Sequence, residues 1–390
     1  MADIHERIRE FSAIACHPKA VLHKHLAAGK GVVGCFPLYT PEEMVHAAGM
    51  VPMGLWGGQI TPTLAGRYNP IFTCSIMRSC LEYGMTGVYA GMCAALMPML
   101  CDTFRGMSAG WRAGVKDIPL IPFIHPQNRT DPGAAAFMAD EYRTVRARLE
   151  RTMEHAGASA MECAGASAGN RPITDEALHA AIEVYNEHNA VMREFASLAN
   201  EHLDVITPVA RHHVFKSAAF IPKDEHTAMV RALMADLRAM PIHAWQGRKA
   251  VLTGITAEPD SFLAILAENN IAVVGDDLAQ ESRQYRTDIP AGTDPMDRLA
   301  RQWLNRQGCS TAHEEKDSRT DMLVNMAKET GANLVAVCLM RFCDVEEYDY
   351  PMIAKACADN GLYCLALEID QSTGDNGQSR TKIQSFAEMA

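Results

Sequence analysis

Twelve cysteines are spread through the 390 residues of this chain, and four of them, Cys74, Cys80, Cys93 and Cys101, fall in the stretch Thr73–Trp111. No two form a CxxC pair, and no acidic calcium-type loop lies nearby. Soft thiolates select zinc, Cu(I) or iron–sulfur clusters, so a metal or cluster centre is the chemistry this stretch raises first. Other motifs carry less. Gly29-Lys30-Gly31-Val32-Val33-Gly34 fits GxGxxG but precedes an apolar run, whereas a dinucleotide fingerprint follows a strand. GxxxxGK[ST] and HExxH do not occur, which removes the usual cues for ATP hydrolysis and zincins. Arg211-His212-His213 and Lys223-Asp224-Glu225-His226-Thr227 offer acid–base or anion-binding groups, although a surface helix start explains the second equally well.

Composition sets the surroundings. The chain is 48% hydrophobic and 21% charged, an ordinary globular balance long enough for two cores. A formal charge of -11 argues against nucleic acid or an anionic membrane as a general partner. Met1–Arg7 holds no apolar signal core, and no run of about 18 apolar residues occurs, so the expected location is the cytoplasm. Cytosolic thiols stay reduced, so the cysteines are expected as buried hydrophobes or ligands rather than disulfides. Cys16, Cys35, Cys163, Cys309, Cys338, Cys357 and Cys364 read as core fillers.

The elements that must position the remaining cysteines follow from periodicity. Asp3–Lys30 reads as one or two polar helices and Gly31–Phe36 as a short strand. Thr40-Pro41-Glu42-Glu43 sets a hydroxyl at an N-cap and proline at the first helical position, for a helix from Pro41 to a stop at Gly49. Strands are expected at Met50–Trp56, Ala94–Met97 and Pro119–Ile124, with a helix over Cys74–Tyr89. Apolar strands alternating with helices mark a parallel sheet covered on both faces. Asp131–His155, Thr174–Glu201 and Lys223–Met240 read as helices, with Ala156–Gly169 an exposed turn or linker. Alternation then resumes with strands at Lys249–Ile255, Ile271–Val274, Leu334–Leu339 and Leu362–Leu367, and helices between them and at the C-terminus. The expectation is an α/β chain of two flavodoxin-like doubly wound lobes joined by helices. Its divisions are an N-terminal helical segment (1–30), a first lobe (31–155), a helical connection (156–245) and a second lobe (246–390).

In open parallel sheets, ligands gather beyond the carboxyl ends of the strands. Cys101 follows the third strand of the first lobe and Cys343 the third strand of the second, while Cys74 opens the helix after the second strand. These three form the expected ligand set, with Cys101 and Cys343 converging across the cleft. The helix start is expected to lower the Cys74 pKa. Structural zinc takes four ligands in paired knuckles, absent here, so three thiols with an open position point toward a [4Fe-4S] cluster. Asp276–Arg283, after the strand at Ile271–Val274, is the best polar candidate outside the cysteines.

The motifs also carry a resemblance. Gly34-Cys35-Phe36-Pro37, His46–Met50, Cys74-Ser75-Ile76-Met77-Arg78-Ser79-Cys80-Leu81-Glu82 and His125-Pro126-Gln127-Asn128-Arg129 resemble the D-component of the (R)-2-hydroxyacyl-CoA dehydratases. So do Asp276–Arg283, Phe342-Cys343-Asp344 with Tyr348–Pro351, and Glu368–Gln371 with Gln378–Phe386, so the likeness spans nearly the whole chain. Benzoyl-CoA reductase subunits share much of the pattern. The resemblance implies a heterodimer of homologous subunits, each holding a cluster through three cysteines, here Cys74, Cys101 and Cys343. It implies a β-type subunit that relays an electron from an ATP-hydrolysing iron–sulfur activator toward the partner's acyl-CoA substrate. The implied reaction places that electron on the thioester carbonyl, expels the α-hydroxide from the ketyl, releases the β proton that the resulting enoxy radical acidifies, and returns the electron, a redox-neutral dehydration. Cys80 and Cys93 would be further ligands if the chain instead held the double-cubane cluster of a related reductase-like family. A benzoyl-CoA reductase-type subunit is one rival, and an electron carrier without any CoA ester is another.

Overall fold

The structure, a computed structural model, describes residues 4–159, 172–312, 318–372, 374 and 376–389. Two helices, α1 (Ile4–Cys16) and α2 (Pro18–Ala27), lead into β1 (Val32–Cys35), α3 (Glu42–Ala47), β2 (Val51–Gly54), a 3₁₀ turn at Ala65–Arg67, α4 (Ser75–Met85), β3 (Ala94–Pro98), α5 (Asp102–Gly114) and β4 (Leu120–Phe123). Four helices follow without a strand: α6 (Ala134–Ser159), α7 (Asp175–Ala199), α8 (Pro208–Ser217) and α9 (Lys223–Arg238). The last part runs β5 (Arg248–Gly254), α10 (Asp260–Glu268), β6 (Ile271–Leu278), α11 (Ser282–Tyr285), α12 (Pro295–Asn305), α13 (Ser318–Thr330), β7 (Leu334–Met340), α14 (Asp344–Asp359), β8 (Tyr363–Ile369) and α15 (Gly377–Met389).

Each half builds a four-stranded parallel sheet, ordered β2-β1-β3-β4 and β6-β5-β7-β8. The order reverses between β1 and β3 and again between β5 and β7, so each lobe has one switch point where ligands collect. Strands β1, β2 and β3 are buried throughout, which is why they read as apolar runs rather than alternating ones. The two-lobed doubly wound fold is therefore the one expected, with an all-helical stretch between the sheets.

Several local readings change. Helix α4 stops at Met85 rather than Tyr89, because Gly87, at φ 76°, takes the left-handed turn that ends helices. Helix α3 starts at Glu42, and Thr40 donates to the Phe36 carbonyl at 2.6 Å instead of capping it. Strand β6 extends four residues past Val274 and so carries Asp276 and Asp277 itself. Helix α6 continues through Ser159 where a turn was expected from Ala156, and the rest of that expected linker, with Cys163, lies outside the described residues. Among the described residues no helix is long and apolar enough to cross a membrane.

Candidate metal centre

All three expected cysteines stand at helix starts. Cys74 is the N-cap of α4, Cys101 of α5 and Cys343 of α14. Cys101 and Cys343 follow β3 and β7, the equivalent strands beside the switch points of their sheets. Cys74 arrives differently, at the end of a long connection from β2 that Glu82 of α4 holds down. The buried Glu82 carboxylate accepts from the Leu64 and Ala65 amides and the Thr63 hydroxyl, each at 2.8 Å. Gly57 in the same connection sits at φ 72°, and any side chain there would strike the Ser79 hydroxyl of α4.

The lobes meet at these cysteines. Cys74, Cys101 and Cys343 all pack against one apolar cluster that runs from the first sheet to Met340 at the end of β7. The β8–α15 connection reinforces the junction: the Gln371 amide donates to Ser75 Oγ at 3.2 Å and its side chain to the Trp56 carbonyl at 3.1 Å. Arg78 stands 4.0 Å from Asp370 across the same junction. The second lobe thus touches the first turn of α4, next to the Cys74 sulfur.

Electrostatics correct one expectation. Burial pushes the Cys74 thiol up to about 12, with the Cys101 charge adding to the rise, while the Met77 and Ile76 amides and Arg78 oppose it. Burial likewise raises Cys101 and, more strongly, Cys343, whose neighbours Glu346, Cys74 and Cys101 all disfavour its thiolate. A helix end contributes at most about 2 kcal/mol, and here desolvation exceeds it. None of the three sulfurs makes a strict capping hydrogen bond. The three half-buried thiols therefore hold their protons more tightly than a free cysteine does.

The chain from 37 to 390 matches the family model described as 2-hydroxyglutaryl-CoA dehydratase, D-component. The chain belongs to this family. It is 40% identical to the lactoyl-CoA dehydratase subunit beta of Anaerotignum propionicum, with all of both chains covered. Identity is 39% to the (R)-phenyllactyl-CoA dehydratase beta subunit of Clostridium sporogenes, again over all of both chains. It is 36% to the (R)-2-hydroxyglutaryl-CoA dehydratase subunit beta of Acidaminococcus fermentans, over 98% of each. These family relatives are named as β subunits and as dehydratases.

The other cysteines divide. Cys35, Cys309, Cys338 and Cys357 are buried and Cys364 half-buried, in keeping with core filling. Cys16 is exposed, against expectation, because it ends α1 at the protein surface. Cys80 is buried and donates to the Leu55 carbonyl at 3.1 Å. Cys93 lies just before β3, at the opposite end of that strand from Cys101.

The charged residues of the polar stretch Asp276–Arg283 are tied up in buried ion pairs, and Gln280 and Glu281 line a small cavity. Arg211 of α8 pairs with Asp276 and Glu281, both at 2.7 Å, and His212 meets Glu281 at 2.8 Å. Asp277 binds Arg283 at 3.0 Å, Arg286 at 2.9 Å and Arg319 at 3.1 Å. Burial opposes the Asp277 charge, but these three guanidinium groups hold its carboxyl well below the usual range. Glu346, one turn into α14 from Cys343, accepts from Arg319 at 2.8 Å, Arg283 at 3.2 Å and Ser310 at 2.6 Å. No pattern within 276–283 signals this, because Arg211, Arg319 and Glu346 come from other elements. Lys223 opens α9, pairs with Glu42 at 2.8 Å and lines a small cavity with it, whereas His226 is buried.

Proposed function

We propose that this chain is the iron–sulfur, β-type subunit of an (R)-2-hydroxyacyl-CoA dehydratase, which converts a 2-hydroxyacyl-CoA into the 2-enoyl-CoA and water by ATP-activated radical elimination. The observation that carries the reading is the arrival of Cys74, Cys101 and Cys343, from helix starts of both lobes, on one core. The relatives' names supply the reaction class and, through the word beta, a partner subunit.

The donor set fits a [4Fe-4S] cluster: three half-buried thiols of one hardness, contributed by separate elements and spread wider than one ion requires. Among the described residues the group whose ligand atoms converge within 4.8 Å is a different one, Cys16, His213 and Asp260. When bound, the cluster supplies a low-potential one-electron centre that connects an ATP-hydrolysing activator with the substrate on the partner. The chain's own contribution is to surrender three thiol protons, to exclude water, and to hold the Ile76, Met77, Thr103 and Phe104 amides where they favour charge on sulfur. Ile71 and Phe72, just before Cys74, are 79% and 66% exposed, and Phe342 beside Cys343 is also exposed. An apolar rim of this kind at the cysteines suits the homologous second subunit as its cover. The compartment is the cytoplasm, where the thiols stay reduced.

The test is anaerobic purification of the chain with its partner subunit, followed by iron, sulfide and EPR analysis and a dehydration assay with activator and ATP. The expected result is about four irons on this chain and ATP-dependent formation of enoyl-CoA from a 2-hydroxyacyl-CoA. Full activity without iron on this chain sinks the reading.

A further inference from the structure

We infer that Cys16, His213 and Asp260 form a second metal site, separate from the three thiols above and suited to a single zinc ion. Cys16 ends α1, His213 lies on α8 and Asp260 begins α10, so three elements converge there. Cys16 Sγ lies 3.5 Å from His213 Nε2 and 3.7 Å from Asp260 Oδ2, and the latter two atoms are 2.9 Å apart. Zinc bonds of about 2.3 Å to sulfur and 2.0–2.2 Å to nitrogen or oxygen, at tetrahedral angles, need donor separations of about 3.6 Å for the two sulfur pairs and 3.4 Å for nitrogen–oxygen. The two sulfur distances already match. The third is a hydrogen-bond length that an arriving cation widens by about 0.5 Å.

The orientation of His213 separates this arrangement from a nucleophile relay. In a cysteine–histidine–carboxylate relay one ring nitrogen faces the thiol and the other the carboxylate. Here both Cys16 and Asp260 meet Nε2, while Nδ1 lies 2.9 Å from Ser12 Oγ. That hydroxyl fixes the ring as outer partners of metal-bound histidines do, leaving Nε2 to the ion. The imidazole is buried. With the ion bound, one thiolate, one carboxylate and a 2+ charge reach neutrality. Cys16 and Asp260 also line a cavity of about 830 Å³ with Trp56, Tyr83, Lys216 and Glu258. The proposed site therefore borders a space large enough for a small ligand.

The experiment is zinc titration of the full-length chain, with zinc-edge X-ray absorption, which iron does not obscure. One zinc per chain is expected, with a single sulfur at about 2.3 Å and nitrogen or oxygen neighbours near 2.0–2.2 Å. Cys16→Ser should remove the sulfur shell and weaken binding at least tenfold. Asp260→Asn should weaken it while leaving the melting temperature within a degree or two. A three-sulfur shell unchanged by Cys16→Ser would put the zinc on Cys74, Cys101 and Cys343 and overturn the proposal. So would the absence of stoichiometric zinc uptake.

Discussion

Cys101 and Cys343 occupy equivalent positions, each opening the helix after the strand beside its switch point, yet the helices behind them are fixed by opposite means. Helix α5 is seated by apolar packing: Phe104 and Trp111 meet Phe36 edge-on at 6.4 and 5.2 Å, and the buried Trp111 donates to the Ile118 carbonyl at 3.0 Å. Helix α14 is anchored through Glu346, buried among Arg283, Arg319 and Ser310, with Asp277 on the far side of the same arginines. Dispersion is non-directional and tolerates small changes of shape, whereas a buried charge without its partner has nowhere to relax. One topology has thus reached the same sulfur placement along a forgiving route and along a strict one.

The comparison breaks most sharply if the lobes do not share a site. Cys101→Ala and Cys343→Ala should each abolish iron uptake and activity, while Cys163→Ala and Cys357→Ala keep both, as read by iron content and EPR. Retention of iron by either of the first two separates the lobes. Arg283→Met leaves Asp277 and Glu346 partly uncompensated, and a loss of about 3–5 kcal/mol in urea unfolding is expected; near-neutral behaviour would show the network to be ornamental.

A third expectation concerns pH. Burial disfavours the His212 charge, but Glu258 and Glu281 overcome it and raise its pKa to about 9. Its folded value lies above the unfolded value of about 6.5, so its stabilisation is complete below pH 6.5 and is lost as pH rises to 9. That loss amounts to about 3 kcal/mol, measured as the stability difference between the native chain and His212→Gln at pH 6 and pH 9. A constant difference would mean that His212 is neutral in the folded state. Glu82→Ala in the first lobe strands the Leu64 and Ala65 amides, with an expected cost of about 2 kcal/mol and easier proteolysis of the 55–74 connection. The smallest effect is assigned to Phe104→Leu, under about 1.5 kcal/mol with iron content unchanged. If it costs as much as Arg283→Met, the first lobe is no more forgiving than the second.

The strand ends were legible because parallel strands buried on both faces are short apolar runs, so the residues after Met97 and Leu339 could be placed on the functional edges without knowledge of packing. Charge was not legible in the same way. Asp276 and Asp277 look like an open polar edge until Arg211 and Arg319, 65 and 42 positions away from their partners, close over them. The Cys74 pKa went the opposite way because local helix geometry is written in the sequence while depth of burial is a property of the assembled lobes. Cys16 was missed for a related reason: its partners lie on α8 and α10, and no spacing within α1 announces them.

The division of the thiols between two sheets has a consequence for biosynthesis. At about 5–20 residues per second, the ribosome needs roughly 10–50 s between adding Cys101 and adding Cys343. Through that interval a folded first lobe would present two ligands and lack the third. Stable cluster insertion must then follow completion of β7, so the proposed iron centre would report that the second lobe has folded and docked.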